Sequence, residues 1–177
     1  PGADSVLGPE MRSTGEVMGS ADDFGMAYAK AELGAGDALP TTGCVFLSTH
    51  DRDKQALVPV ARRLIDLGFQ LTATSGTAQV LSQAGLAVTS VLKVHEGRPN
   101  IEDQIRSGGV QLAINTPIGR QAAHDDRYIR RAALDYSVPT VTTLAGARAA
   151  VEAIAALQAE SLTIHALQDV HRAGVSH

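Results

Sequence analysis

The sharpest chemical motif in the sequence is the run Thr74-Ser75-Gly76-Thr77, which joins a predicted strand to a predicted helix. Gly76 allows backbone N–H groups to approach an anion closely, and the start of the helix adds a partial positive charge. The three hydroxyls of the run can donate hydrogen bonds to phosphate oxygens. An ordinary capped turn uses the same residue types, and the run taken alone favours that simpler interpretation.

Cations that follow other predicted strands strengthen the case for an anion site. Lys54, Lys93, Arg98 and Arg120 all fall in such loops, although the chain has 15 Lys and Arg against 19 Asp and Glu and a net charge of −4. Cations gathered at one edge of an acidic protein suggest a small anionic ligand. A single lysine is more often simply solvated, and we expect Lys93 to lie at the solvent edge. Further polar residues at predicted strand ends include Asn115, Thr116, Thr142 and Thr143, and the loop that holds Lys54 also holds His50, Asp51, Arg52 and Asp53.

Other kinds of chemistry find less support in the sequence. His95 and Glu96 have no second His four residues on, so no metal site is predicted. Cys44 starts a buried strand and is interpreted as a core residue, and a single cysteine excludes internal disulfides and cysteine-based zinc clusters. The chain lacks a basic face for nucleic acid and an apolar run of the roughly 18 residues that span a membrane. No Ser-His-Asp order, P-loop lysine motif or glycine fingerprint of a dinucleotide fold is present, so the residues indicate a domain that binds a small phosphate-bearing anion. The single cysteine and the lack of a membrane span predict a reducing, cytoplasmic setting.

An alternation of strands and helices positions these residues, and it is typical of a doubly wound, Rossmann-like parallel α/β sheet of five strands with helices on both faces. Ligands of such sheets bind beyond the carboxyl ends of the strands. Pro59 predicts a late start or a kink in the helix that contains it, because it removes a hydrogen bond. The predicted strands are 44–48, 69–72, 86–92, 110–114 and 138–142, with an edge strand at 162–164. The predicted helices are 53–67, 77–83, 101–106, one capped by Asp125 or Asp126 that runs to Tyr136, 145–158, and a tail helix at 165–172.

The first 43 residues differ from this pattern. Residues 1–21 are rich in Gly, Pro and Ser and show no sustained period, so we expect a strap that lies on a neighbouring domain. Asp22 or Asp23 is predicted to cap a helix that ends at Leu33 with Gly34 as its stop, and 34–43 is predicted to be a linker. Because the chain begins with Pro1, we expect it to be part of a longer protein. The predicted contact side of the helix is Phe24, Ala27, Tyr28 and Ala31, and the predicted buried strand residues are Cys44, Val45, Phe46, Leu47, Leu71, Val91, Leu112, Ile114 and Val141.

Five stretches of sequence carry a resemblance to a known family: MRSTGEVMG (11–19), TSGTAQVL (74–81), KVHEGRPNIEDQI (93–105), INTPIGR (114–120) and YIRRAAL (128–134). Together they resemble the C-terminal end of the carbamoyl phosphate synthase large-chain family, nearly end to end. The resemblance implies that 1–21 ends the second synthetase unit, an ATP-grasp domain, and that 22–40 is a connecting helix and linker. It also implies that 41–160 is an allosteric domain with the fold of methylglyoxal synthase and that 161–177 is a C-terminal tail.

The function implied by the resemblance is regulatory. Such a domain binds nucleotide monophosphates in the bacterial enzyme, UMP as inhibitor and IMP as activator. By position, the nucleotide-site residues match Lys54, Thr74, Thr77, Lys93, Asn115 and Thr116, while Ser75 and Gly76 complete the phosphate loop. Pro117 stands where the family usually has Thr, and Ser75 where it commonly has His, which leaves the identity of the effector open. Thr142 and Thr143 match the part that faces an ornithine pocket.

The resemblance also implies a larger enzyme, a glutamine-hydrolysing, ATP-dependent ligase of arginine and pyrimidine biosynthesis. Its partners would be the rest of the large chain, a glutaminase small chain and further copies in a homo-oligomer. The full-length enzyme would use ATP with Mg or Mn, whereas this fragment would hold no cofactor, no metal and no catalytic centre.

Two alternatives remain open from the sequence. The first is a methylglyoxal synthase, which eliminates phosphate from dihydroxyacetone phosphate with a catalytic Asp. That position is occupied here by Arg98, and a cation cannot serve as the base. The second is a purely structural role in oligomerisation, which would not require a cationic strand edge.

Overall fold

The centre of the protein is a five-stranded sheet in which every strand is parallel to its neighbours. In the computed structural model, which describes residues 17–116, 122–160 and 162, the strand order is β3-β2-β1-β4-β5. The predicted doubly wound fold is therefore confirmed. The strands are β1 (Cys44–Thr49), β2 (Gln70–Thr74), β3 (Thr89–Val91), β4 (Leu112–Thr116) and β5 (Thr140–Val141).

Six α-helices and two short 3-10 helices within the described residues complete the fold. They are α1 (Phe24–Ala35), α2 (Lys54–Asp66), α3 (Ser75–Gln83), α4 (Ile101–Arg106), α5 (Ala122–Asp135) and α6 (Leu144–Ala159), with 3-10 helices at Asp51–Asp53 and Val94–Glu96. None of the described helices is long and apolar enough to cross a bilayer.

Both faces of the sheet are covered by helices. Val45 and Leu47 of β1 face one hydrophobic cluster with α2, α3 and α6, whereas Phe46 between them belongs to a second cluster with α4 and α5. This alternation follows from the two-residue period of a strand. Of the predicted buried strand residues, Cys44 and Val141 are only partly buried, because each lies near a strand end.

Helix α1 differs from its prediction in its end and in its buried side. Asp23 is the N-cap and accepts a hydrogen bond from the Met26 N–H at 2.8 Å, but the helix continues past Gly34 to a left-handed Gly36. The predicted stop at Gly34 is therefore wrong. Phe24 is 66% exposed, whereas Gly25, Met26 and Ala29 are buried. Packing against α6, which the local sequence does not reveal, selects this side of the helix.

Other boundaries also differ from the predictions. Helix α2 begins at Lys54 and runs through Pro59, so the predicted late start is wrong; the burial of its apolar side, which includes Leu57 and Leu64, outweighs the one lost hydrogen bond. Helix α5 begins at Ala122, so neither Asp125 nor Asp126 is its cap, because both residues lie within its first turns. Strand β3 starts only at Thr89, since the N–H of Leu86 still bonds the Leu81 carbonyl at the end of α3.

Some predictions lie outside the described residues. These are the strap apart from residues 17–21, the side chains of Pro117 and Arg120, the tail helix at 165–172, and the edge strand at 162–164 except Leu162, which is exposed and outside any strand. The division into four regions stays a prediction.

Candidate functional site

The carboxyl ends of the three central strands bring together polar residues that are far apart in the sequence. Strand β1 pairs with β4 so that Ser48 lies opposite Asn115 and Thr49 opposite Thr116. From β1 the chain winds outward through β2 and β3 and then crosses back to β4, so the winding direction reverses between β1 and β4. Ligands of doubly wound sheets bind beside this point of reversal.

A chain of hydroxyl groups occupies this edge. The Thr116 hydroxyl donates to Thr49 Oγ1 at 2.7 Å, and the Thr49 N–H donates to Thr77 Oγ1 at 3.4 Å. Thr74 Oγ1 lies 3.3 Å from Thr77 Oγ1 and 3.5 Å from Ser48 Oγ. Thr74, Thr77 and Thr116 are buried, so these contacts fix the ends of β1, β2 and β4 against one another.

Helix α3 starts directly above this chain of hydroxyls. Ser75 and Gly76 are its first two residues, so the helix begins two residues earlier than the predicted Thr77. Thr74 is at the N-cap position, but its side chain makes no capping hydrogen bond to the helix. The ordinary capped turn that the sequence permitted is therefore absent here. The first-turn N–H groups thus lack the side-chain acceptor that a Thr at this position commonly provides.

Lys54 lies over this uncapped helix start. A Cβ at position 76 would come within 2.6 Å of Lys54 Nζ, so only glycine leaves room for the ammonium group there. The Lys54 side chain is only 17% exposed, and its Nζ pairs with Asp51 Oδ1 at 2.7 Å. The predicted neighbours Lys54, Gly76 and Thr77 are thus brought to one place by α2 and α3.

The charges of the neighbouring loops also act at this place. The hydrogen bond and charge of Lys54 hold the pKa of the exposed Asp51 carboxyl below its usual value, and His50 and Lys93 contribute smaller effects in the same direction. The effect of Lys93 comes from the loop after β3, which lies beyond β2 in the sheet.

The loop after β3 differs from its prediction at Lys93, which is half-buried rather than at the solvent edge. Val94 packs against the second hydrophobic cluster and draws the loop inward. Glu96 Oε2 accepts a hydrogen bond from the Lys93 N–H at 2.8 Å. Arg98 is exposed and lies 3.7 Å from Asp103, whose other oxygen accepts from the Asn100 N–H.

The remaining predicted residues have distinct positions. Asn115 and Thr116 are buried within β4 rather than in a loop after it. Ser75 is exposed at the start of α3. Thr142 and Thr143 are exposed beyond β5, and the Thr143 hydroxyl caps α6 by accepting from the Gly146 N–H at 3.0 Å.

Sequence reasoning missed Ser48, Thr49 and Asp51 as members of this site. Ser48 and Thr49 follow the apolar run of β1, so the rule that selected the other strand ends also applies to them. Asp51 stands three residues before Lys54, a spacing that allows a pair across one helical turn.

Other reactive groups give no second centre within the described residues. Burial raises the pKa of the Cys44 thiol, which weakens it as a nucleophile. No three His, Cys, Asp or Glu side chains of the described residues are grouped to hold a metal ion. A cavity of about 370 Å³ lies at the opposite edge of the sheet, where Arg106, Gln111 and Tyr136 line it, and no predicted site residue faces it.

The fold and this edge define a class of protein. A family model described as an MGS-like domain matches residues 56–142. A crystal structure of methylglyoxal synthase from Elizabethkingia anophelis NUHP1 matches with a TM-score of 0.53 at 20% identity, over 64% of this chain and 79% of that one. At this identity the likeness shows the fold alone. The chain therefore carries an MGS-like domain.

Its sequence relatives within that class are large chains of carbamoyl phosphate synthase. The large chain of Synechocystis sp. is 59% identical over 170 residues, which is 96% of this chain and 16% of that protein. The "Carbamoyl phosphate synthase large chain, C-terminal section" of Methanopyrus kandleri is 51% identical over 173 residues, 97% of this chain and 32% of that protein. The chain belongs to the carbamoyl phosphate synthase large-chain family and spans only a part of its relatives' length.

Proposed function

We propose that this chain is the allosteric domain of a carbamoyl phosphate synthase large chain and that its strand-end site binds a nucleoside monophosphate of the UMP or IMP type. The observation that carries the proposal is the start of α3, where Lys54 lies over Gly76 and the N-cap side chain makes no capping bond. An uncapped helix start with a lysine above it suits a phosphate group, because the N–H groups and the ammonium all donate to the same anion.

The neighbouring residues would make the other contacts of the site. The exposed Ser75 hydroxyl and the half-buried Lys93 would complete the phosphate contacts. Thr74, Thr77 and Thr49 hold the floor of the site in place through their mutual hydrogen bonds. Asn115 and Thr116 would bound the ribose or base from β4. Thr142 and Thr143 lie beyond β5, where we propose that they face an ornithine pocket completed by upstream parts of the protein.

The proposal extends to the larger enzyme. Ligand binding here would be transmitted to the synthetase active sites of the same large chain, in an ATP-dependent, glutamine-using ligase of arginine and pyrimidine biosynthesis. A glutaminase small chain, Mg or Mn with ATP, a homo-oligomeric assembly and a cytoplasmic location belong to this proposal. The chain itself would supply the effector site and no catalytic centre.

Calorimetric titration of the 177-residue chain with UMP, IMP, inorganic phosphate and ornithine tests the effector site. Each charge-assisted hydrogen bond contributes about 1.5–3 kcal/mol. Lys54→Ala and Lys93→Ala should therefore each weaken nucleotide binding by about ten- to a hundredfold.

Lys30→Ala is the matched control, because Lys30 lies on α1 and its ammonium donates to the Ser20 carbonyl instead. It should bind as the parent chain does. If neither UMP nor IMP binds at millimolar concentration, the nucleotide proposal is wrong. If inorganic phosphate still binds in a manner that depends on Lys54, an anion site remains without that assignment.

A further inference from the structure

The anion site already contains an anion that belongs to the chain. The carboxylate of Asp51 lies 2.7 Å from the Lys54 ammonium, the same group that would face a bound phosphate. The hydrogen bond and charge of Lys54 lower the pKa of this carboxyl, and the charges of His50 and Lys93 add smaller effects in the same direction. Asp51 thus marks a position where cations from two different loops act on one negative charge.

The side chains of this pair differ greatly in their exposure to solvent. The Lys54 side chain is 17% exposed and packs over Gly76, whereas the Asp51 side chain is 88% exposed. An exposed carboxylate on a surface turn can rotate into solvent at little cost, because exposed ion pairs contribute little. A ligand can therefore replace Asp51 at Lys54 without moving the lysine.

We propose that Asp51 is an internal counter-ion of the site, which pairs with Lys54 when no effector is bound and must be displaced from it by the effector's phosphate. The inference rests on the proposed function, since it concerns the regulation of the same site. Asp51 keeps the half-buried ammonium paired when the site holds no ligand, and it lowers the affinity for every anion that needs Lys54.

This role distinguishes Asp51 from its neighbour Asp53. Both carboxylates belong to the same 3-10 turn, but Asp53 lies 3.7 Å from Arg52 and makes no side-chain cap to α2. Asp53→Asn therefore removes the same charge from the same turn without releasing Lys54. Asp53→Asn is therefore the matched control for Asp51→Asn. Both substitutions keep the shape of the side chain and remove its charge.

Calorimetric titration with inorganic phosphate, UMP and IMP at low ionic strength compares these variants. Loss of one exposed counter-ion and its repulsion of the ligand should tighten binding of each anion by about five- to tenfold in Asp51→Asn. Asp53→Asn should change the affinity by less than about twofold, because Asp53 pairs with Arg52 and not with Lys54. In a Lys54→Ala background, Asp51→Asn should lose most of its effect, because the competition needs the lysine.

A second measurement needs no ligand. The Asp51 carboxyl, followed by NMR as the pH falls, should titrate below the usual range in the parent chain and closer to that range in Lys54→Ala. An ordinary pKa for Asp51 in the parent chain would show that the pair does not form, and the inference would be lost. This titration uses no Asp51 variant, so it still tests the inference if Asp51→Asn does not fold.

The outcomes separate the two proposals. Equal effects of Asp51→Asn and Asp53→Asn on phosphate affinity overturn the counter-ion role and leave the nucleotide proposal standing. A phosphate response specific to Asp51, together with no nucleotide binding in any variant, overturns the nucleotide assignment alone. If no anion binds to any variant, both proposals fail.

Discussion

Among single residues, Gly76 has the largest effect on the proposed site, because its missing side chain leaves room for the Lys54 ammonium. The backbone of α3 leaves no hindrance to the Lys54 ammonium there, and a Cβ would meet Nζ at 2.6 Å. The atom it would meet is the far end of a flexible side chain, which can shift at small cost. Gly76 thus determines where the charge of Lys54 lies rather than whether the protein folds.

Gly76→Ala should separate binding from stability. The new methyl group should push the Lys54 ammonium away from the start of α3 and weaken phosphate or nucleotide binding by about tenfold, the equivalent of one charge-assisted hydrogen bond. The free energy of unfolding should change by no more than about 1 kcal/mol, because alanine is accepted in a helix. Calorimetry gives the affinity and urea denaturation gives the stability.

Gly34→Ala provides the comparison for that variant. Gly34 is also helical, and a Cβ there would lie at an ordinary 3.5 Å from Val17. It should leave anion binding unchanged. If Gly76→Ala bound phosphate as tightly as Gly34→Ala does, the position of the Lys54 ammonium would not depend on a glycine at residue 76.

Contacts between elements determine which side of each helix is buried. Helix α1 packs on α6 through Gly25, where a Cβ would lie 2.7 Å from the Glu152 carbonyl oxygen and 3.2 Å from the Ala156 Cβ. Backbone approaches this close need a residue without a side chain. Helix α6 in turn buries Ala147, Ala150 and Ile154 against the sheet.

Gly25→Ala should destabilise the fold without affecting the anion site. The obstructing atom belongs to the backbone of α6, so the two helices must separate, which we expect to lower the free energy of unfolding by about 1–3 kcal/mol. Urea denaturation followed by circular dichroism measures this loss. Phosphate affinity, measured well below the denaturation midpoint, should stay at the parent value, and an equal stability of Gly25→Ala and Gly34→Ala would contradict the close packing.

The arrangement of the whole domain assembles a binding site but leaves its described carboxylates engaged. Asp51 pairs with Lys54, Glu96 accepts from the Lys93 N–H, and Asp103 accepts from the Asn100 N–H. A general base needs a carboxylate that is available to take a proton and whose pKa is not lowered. We therefore expect that this chain shares the fold of methylglyoxal synthase but not its chemistry.

The 177-residue chain should accordingly form no methylglyoxal from dihydroxyacetone phosphate. A colorimetric assay with a methylglyoxal synthase as positive control measures this. The background is given by Lys93→Ala, which should lose any turnover that depends on the strand-end cations. Turnover by the parent chain above that variant would show that the site is catalytic and would contradict the regulatory proposal.

The class of fold and most residues of the proposed anion site could be predicted from the amino-acid sequence. Apolar runs that alternate with helical periods predict a parallel doubly wound sheet, and the rule that ligands bind at strand ends selects Lys54, Thr74, Gly76 and Thr77. The alternation of strands and helices and the residues at strand ends are both local signals, because a few consecutive residues are enough to show where a strand or a helix starts. The five parallel strands in the order β3-β2-β1-β4-β5 confirm the fold.

The contacts between distant residues, and the burial of each, depend on how the elements pack. The Thr116–Thr49 hydrogen bond joins residues 67 positions apart, and the position of Lys54 over Gly76 depends on how α2 and α3 pack. The buried side of α1 was fixed by α6, and the half-burial of Lys93 by the packing of Val94. The spacing of Asp51 and Lys54 allows their pairing, but only the structure shows that the exposed Asp51 carboxylate lies 2.7 Å from a Lys54 ammonium that also lies over Gly76.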